Sequence, residues 1–336
     1  MEHFPLPPSF DRLTALRSKY VTTSRDQKVS TIIDTILTNR EIAHRISQPL
    51  SRVGMIVTAG SGAGKTTTLI RGIQRHPSLQ PTCDDDLPAV CFKVESPVTL
   101  KALALQMLRQ LGYPVNGKGT RANYWEDVRQ HLMLRNTKLI WLDESQDVFA
   151  GRNARDAGEV LSTLKGLMSG PDWPVALVLS GVPDLLDQCA HDRQLLRRTF
   201  PLALEPISAA ADGEALRSII AEYCAVAGVS HTLPDDLVAR LIHATGGMLG
   251  TSLELIVDAL QDLFLANGHV LTIDNFVRAY QQHNDCPTPL NIFLVAGWQS
   301  ISTNATQTSA AATPSAASLK SDAKRRKSID RSQGPW

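Results

Sequence analysis

The chain of 336 residues lacks several things. No apolar run approaches the ~20 residues a helix needs to span a bilayer, so no transmembrane helix and no membrane partner are expected. Met1-Glu2-His3-Phe4-Pro5 lacks the charged-then-apolar layout of a secretory signal, and the expected location is the cytosol. Cysteine is sparse: Cys83, Cys91, Cys189, Cys224 and Cys286 are scattered, with no C-x-x-C pair. Neither a zinc framework nor a disulfide scaffold is expected. Charge of either sign is also missing on balance. The net charge is +1, and from Lys320 onward six basic residues stand against two acids, so the rest of the chain is slightly acidic. A broadly basic body is excluded. Any nucleic-acid binding needs a local basic surface, or a multimer that lines such surfaces up. What remains is ordinary globular composition, 43% hydrophobic and 20% charged, and a length compatible with two domains.

The most informative stretch is Ala59-Gly60-Ser61-Gly62-Ala63-Gly64-Lys65-Thr66. An apolar run, Val53 to Val57, feeds it, and a helix-forming run follows to Arg75. Strand, glycine-rich turn and helix start form the context of a phosphate-binding loop. Glycines without a Cβ let the backbone approach a ligand, successive N–H groups converge on an anion, and the helix N-terminus adds positive potential. Backbone groups of Gly60 through Gly64, with Lys65, Thr66 and Thr67, are the expected cradle for ATP. Lys65 is expected to reach the β/γ-phosphates and the Thr66 hydroxyl to hold Mg²⁺. Ala59 stands where the consensus has glycine.

Lys138-Leu139-Ile140-Trp141-Leu142-Asp143-Glu144 is the second signal, a buried strand with two acids at its carboxyl end. In open α/β sheets ligands bind at those ends. Asp143 is placed to hold Mg²⁺ and Glu144 to polarise the attacking water. A further buried strand, Pro174 to Gly181, ends at Ser180, a candidate γ-phosphate sensor. Arg197 and Arg198 stand just before a short strand near Leu202–Leu204, the usual place for an arginine that enters a neighbouring subunit's site. Ala89–Val94 reads as another strand. Helices are expected over 100–111, 124–134 and, beyond Asp212, near 212–227, 234–244, 249–266 and 272–283, an all-helical pattern. Residues 302–318 have a composition that cannot supply a core, and the tail carries the cluster Lys324-Arg325-Arg326-Lys327. The expected division is a helical segment over 1–48, an α/β ATPase domain over 49–206, a helical lid over 207–290 and a flexible basic tail over 291–336.

This order of motifs is that of an AAA+ P-loop ATPase: α/β, with a five-stranded parallel sheet flanked by helices and a small helical lid. The guanine-reading Asn-Lys-x-Asp tetrapeptide is absent. Within that class the chain resembles the transposition ATPases of the TniB/TnsC group. The resemblance rests on Ala59–Thr66, Glu95-Ser96-Pro97-Val98-Thr99-Leu100, Leu111-Gly112-Tyr113-Pro114, Leu142-Asp143-Glu144-Ser145-Gln146 and Gln194 to Leu202, and covers roughly residues 10–285. It implies a DNA-binding ATPase that assembles as a ring or helical filament on duplex DNA, largely without sequence preference, and works with a transposase and a TniQ-type targeting factor. ATP would sit between subunits, with Asp143 and Glu144 from one and Arg197 or Arg198 from the next. By family position and charge, Lys101, Lys118, Thr120 and Arg121 are the DNA-contact candidates. Where the family lid often has Gly-x-x-Gly-Arg, this chain reads Gly246-Gly247-Met248-Leu249-Gly250-Thr251, with Arg217 and Arg240 as substitutes for the missing arginine. A helicase loader, an ExeA-like ATPase and a STAND-type switch are the alternatives.

Overall fold

The computed structural model describes residues 10–95, 99–115, 119–149 and 154–303. The chain divides into two compact units, one formed by residues up to Ala215 together with Gly247–Glu254, the other by Leu216–Gly246 and the residues from Leu255 on.

In chain order the first unit holds α1 (Phe10–Ser18), α2 (Ser24–Ile46), β1 (Gly54–Thr58), α3 (Lys65–Arg75), β2 (Ala89–Lys93), α4 (Leu100–Gln110), α5 (Arg121–Leu134), β3 (Leu139–Asp143), α6 (Ala154–Met168), β4 (Ala176–Gly181), α7 (Asp184–Ala190), α8 (Arg193–Arg198) and β5 (Thr199–Ala203). The strands form one sheet in the order β2-β3-β4-β1-β5, with every pair parallel. A parallel sheet is covered on both faces, so its central strands read as continuous apolar runs rather than alternating ones. β1 and β4 are buried at every position. Their side chains still alternate in destination. Ile56, Ile140, Leu142, Leu177 and Leu179 pack with α4, α5 and α6, and Met55, Val57, Trp141 and Val178 pack with α2 and α3.

The segment ahead of the first strand belongs to this core. The Thr23 side chain and Asp26 form a reciprocal cap on α2, and Val29, Ile33 and Ile36 are fully buried. Each contributes about 1.5–3 kcal/mol by leaving water. β5 is an edge strand, which is why Pro201 can sit inside it without costing a ladder bond. It starts at Thr199, immediately after Arg198, earlier than the sequence suggests. Helices α6, α7 and α8 have no counterpart in the sequence reading.

The second unit takes in most of α9 (Ala209–Ala227) and α11 (Leu249–Leu265), with α10 (Leu237–Ala244) and α12 (Ile273–Asn284), close to the four expected helices. It is not all-helical, because β6 (Ser230–Thr232) and β7 (Val270–Thr272) pair in parallel. Residues 291–301, assigned from sequence to the flexible tail, pack on this unit. Phe293 stacks on Phe276 with ring centres 5.6 Å apart, and Asn291 donates to the Val277 carbonyl at 2.9 Å. The cluster Lys324–Lys327 lies outside the described residues.

Candidate nucleotide site

Because the sheet is parallel, the ends of β1, β3 and β4 share one edge, and the segments expected to carry chemistry meet there. The loop after β1 is tied down by its own backbone: Ala63 N donates to Gly60 O at 3.2 Å and Thr68 N to Gly64 O at 3.0 Å. Gly62 and Gly64 have φ of 76° and 85°, a region open mainly to glycine. Ala59 does not have positive φ and is buried, so a Cβ is tolerated at that first position. This accounts for the departure from the consensus. Lys65 is only 7% exposed, yet among the described residues its ammonium has no hydrogen-bond or ion-pair partner. A nearly buried cation without a counter-charge is costly, and an anion seated in the loop would supply one.

The acids stand beside the loop. Thr66 Oγ1 donates to Asp143 Oδ2 at 2.9 Å. These are two hard oxygens side by side, and no cluster of three or more His, Cys, Asp or Glu occurs among the described residues. That donor set fits Mg²⁺, which takes one or two carboxylates, waters and substrate phosphates rather than an all-protein cage. Asp143 Oδ1 accepts from Ser180 Oγ at 2.5 Å and from Glu144 N at 3.0 Å. Ser180 is fully buried and accepts in turn from Trp141 Nε1 at 2.8 Å. Its single proton is donated to Asp143, so in this arrangement Ser180 orients that carboxylate and has no proton left to offer a phosphate. Glu144 follows with φ 53° and ψ 39°, a left-handed conformation that a non-glycine residue adopts at a cost.

Three contacts at this loop have no precedent in the sequence reading. Thr251 N donates to Gly62 O at 3.1 Å, and Met248 lies against Gly60. Arg25, from the start of α2, donates through Nη1 to Ala63 O at 3.0 Å and through Nη2 to Glu205 O. Burial lowers its pKa, and Asp212 and Asp26 oppose that. The missing lid arginine is thus replaced at position 251 by a residue whose backbone grips the loop. Neither proposed substitute is at liberty. Arg240 pairs with Asp236 at 2.8 Å and donates to the carbonyls of Ile292 and Val295, so it holds the 291–301 segment. Arg217 donates to Asp235 O at 3.4 Å. Gly62→Ala tests this packing. Its new Cβ would lie 2.1 Å from Thr251 Oγ1, at a φ that strains alanine. We expect a loss of about 2–4 kcal/mol in denaturant unfolding, with Thr251→Ala in the same chain restoring the steric part.

The two arginines before β5 separate cleanly. Arg198 is turned into its own chain, donating to Lys165 O at 3.1 Å and to Ser169 Oγ. Arg197 is exposed and has no hydrogen-bond or ion-pair partner among the described residues. Three of the four DNA-contact candidates are brought together at the starts of α4 and α5. Lys101 lies over the Tyr124 ring at 5.5 Å, the Tyr124 hydroxyl accepts from Gly119 N at 2.6 Å, Thr120 caps α5 and Arg121 pairs with Glu159 at 2.7 Å. Lys118 lies outside the described residues.

A phosphate loop, a strand-borne acid pair and this strand order define an AAA+ ATPase. A family model described as bacterial TniB protein matches residues 17–209. The chain belongs to the TniB family. No curated protein matches it. Among solved structures it is similar to an Aeropyrum pernix ORC2 protein in ADPNP–ADP complexes, at 15% identity and TM-score 0.59 over 81% of this chain and 71% of that one. It is also similar to Cdc6p from Pyrobaculum aerophilum, at 15% identity and TM-score 0.54 over 80% and 70%. Drosophila ORC bound to DNA is similar at 17% identity and TM-score 0.54 over 86% and 70%. At such identities the likeness is one of fold. Among the described residues no helix is long and apolar enough to cross a membrane.

Proposed function

We propose that this chain is an ATP-dependent transposition regulator that oligomerises on duplex target DNA and recruits or activates a transposase, with a TniQ-like protein as a further partner. The ATPase domain spans 49–206 and the lid 207–290. The observation that supports the reading best is the split state of the site. Thr66, Asp143 and Glu144 are gathered in one chain, but among the described residues no arginine is hydrogen-bonded or ion-paired to any of them. Arg197 meanwhile stands exposed, with no hydrogen-bond or ion-pair partner among the described residues. A second copy of the chain is the natural source of the missing cation. Lys65 binds the β/γ-phosphates, Thr66 and Asp143 hold Mg²⁺, and Glu144 accepts a proton from the attacking water. When bound, Mg²⁺ would supply positive charge against the negative charge that develops on the phosphates. Hydrolysis, by changing what Arg197 has to bind, controls whether subunits stay together.

Electron microscopy with an ATP analogue and duplex DNA tests this. Rings or filaments on DNA are expected, and monomers that persist off DNA would overturn the reading. The DNA surface has its own test. Lys and Thr groups bind phosphate oxygens without reading sequence. Lys101→Ala should therefore weaken binding to unrelated duplexes equally and lower the slope of log affinity against log salt by about 1. An unchanged slope would place the DNA elsewhere.

A further inference from the structure

Gln146 is two residues past the acid pair, on the short 3₁₀ turn Ser145–Val148. Its side chain is engaged at both ends. Nε2 donates to Glu144 Oε2 at 2.5 Å, and Oε1 accepts from Val182 N at 3.3 Å, just beyond the end of β4. The amide fills the space over the strand end so closely that a Cβ on Gly181 would lie 2.2 Å from Oε1. The strand end therefore holds both acids by separate routes. Ser180 bonds Asp143 directly, and Val182 reaches Glu144 through the Gln146 amide. The turn itself is fixed by Ser145 Oγ, which donates to Leu142 O at 2.7 Å.

We propose that Gln146 is a positioning residue for ATP hydrolysis, fixing the Glu144 carboxylate by bracing it against the end of β4. The inference rests on the reading of Glu144 as the base. The left-handed backbone at Glu144 points its side chain away from the helical path, and a carboxylate on a strained turn has several rotamers to choose from. The Gln146 N–H selects one of them and occupies one lone pair of Oε2. The other oxygen stays available to a water, and a base held in place costs less to orient in the transition state. Movement of the β4 end would be carried to both acids together.

The experiment measures steady-state ATP turnover and nucleotide affinity for the full chain with Gln146→Ala, Glu144→Gln and the double variant, on DNA. Gln146→Ala should lower kcat at least tenfold and leave KM and the affinity for ATP within about twofold. In the Glu144→Gln background the same change should have no further effect, because Gln146 acts only through that carboxylate. Gln146→Asn, with a shorter amide, should recover little. A normal kcat for Gln146→Ala beside a slow Glu144→Gln would overturn the clamp and leave the base in place. A normal kcat for Glu144→Gln would overturn the assignment of the base itself. A fall in ATP affinity matching the fall in kcat would show that Gln146 only supports the fold.

Discussion

Replacing Arg197 with alanine should lower ATP turnover by about 10³-fold while leaving nucleotide binding intact. The side chain is exposed and has no partner among the described residues, so its loss removes no contact within its own subunit. An arginine that enters a neighbour's site acts on charge that develops only in the transition state, so kcat falls and affinity does not. Arg198→Ala should behave differently. It would strip donors from the Lys165 carbonyl and the Ser169 hydroxyl, at a cost of about 1–3 kcal/mol in stability. The pair can be told apart by measuring turnover and denaturant midpoint for both variants. If Arg198→Ala were the catalytically dead, fully stable one, the assignment would be reversed.

The other large effect falls on Lys65. The residue is nearly buried at the start of α3, close to the N-terminal end of the helix dipole and, among the described residues, without a counter-charge. Charge-assisted bonds to two phosphate oxygens contribute about 3 kcal/mol or more. Lys65→Ala should therefore cost at least about a hundredfold in ATP affinity. The folded protein should lose nothing in stability, since the substitution removes a cation already uncomfortable in its setting. Lys65→Arg should not restore binding, because the planar guanidinium does not fit a slot shaped for a point charge. Titration with a fluorescent ATP analogue reads all three. An affinity within about threefold of the parent for Lys65→Ala would remove the loop from nucleotide binding.

Local patterns carried most of the fold. The apolar runs of β1, β3 and β4, the loop between β1 and α3, and the four lid helices are all signalled within a few residues of themselves. What was not legible depends on residues far apart in the chain. Thr251 reads as a departure from an arginine, and only the folded backbone shows its N–H on Gly62 O, 189 positions earlier in the sequence. Arg25 lies in an amphipathic run whose pattern announces a helix and says nothing of its reach to Ala63. The strands Ser230–Thr232 and Val270–Thr272 are too short for a period-two pattern to register. Residues 291–301 are mostly apolar, but their buried anchors, Asn291, Ile292, Phe293 and Trp298, follow neither a helical nor an alternating period, so no element is announced there. Ser180 was visible as a polar strand end, but which acceptor takes its proton is a matter of strand register, not of composition.

The central claim is that the site is shared between copies of the chain, and mixing two impaired variants tests it most directly. Glu144→Gln supplies a good arginine and a poor base, and Arg197→Ala the reverse. Each alone should turn ATP over only slowly on DNA. Mixed together, they should regain ATP turnover, because some interfaces then pair an intact Glu144 with an intact Arg197 from the neighbour. Mixtures that stay as slow as either variant, under conditions where both still assemble, would contradict a site completed in trans.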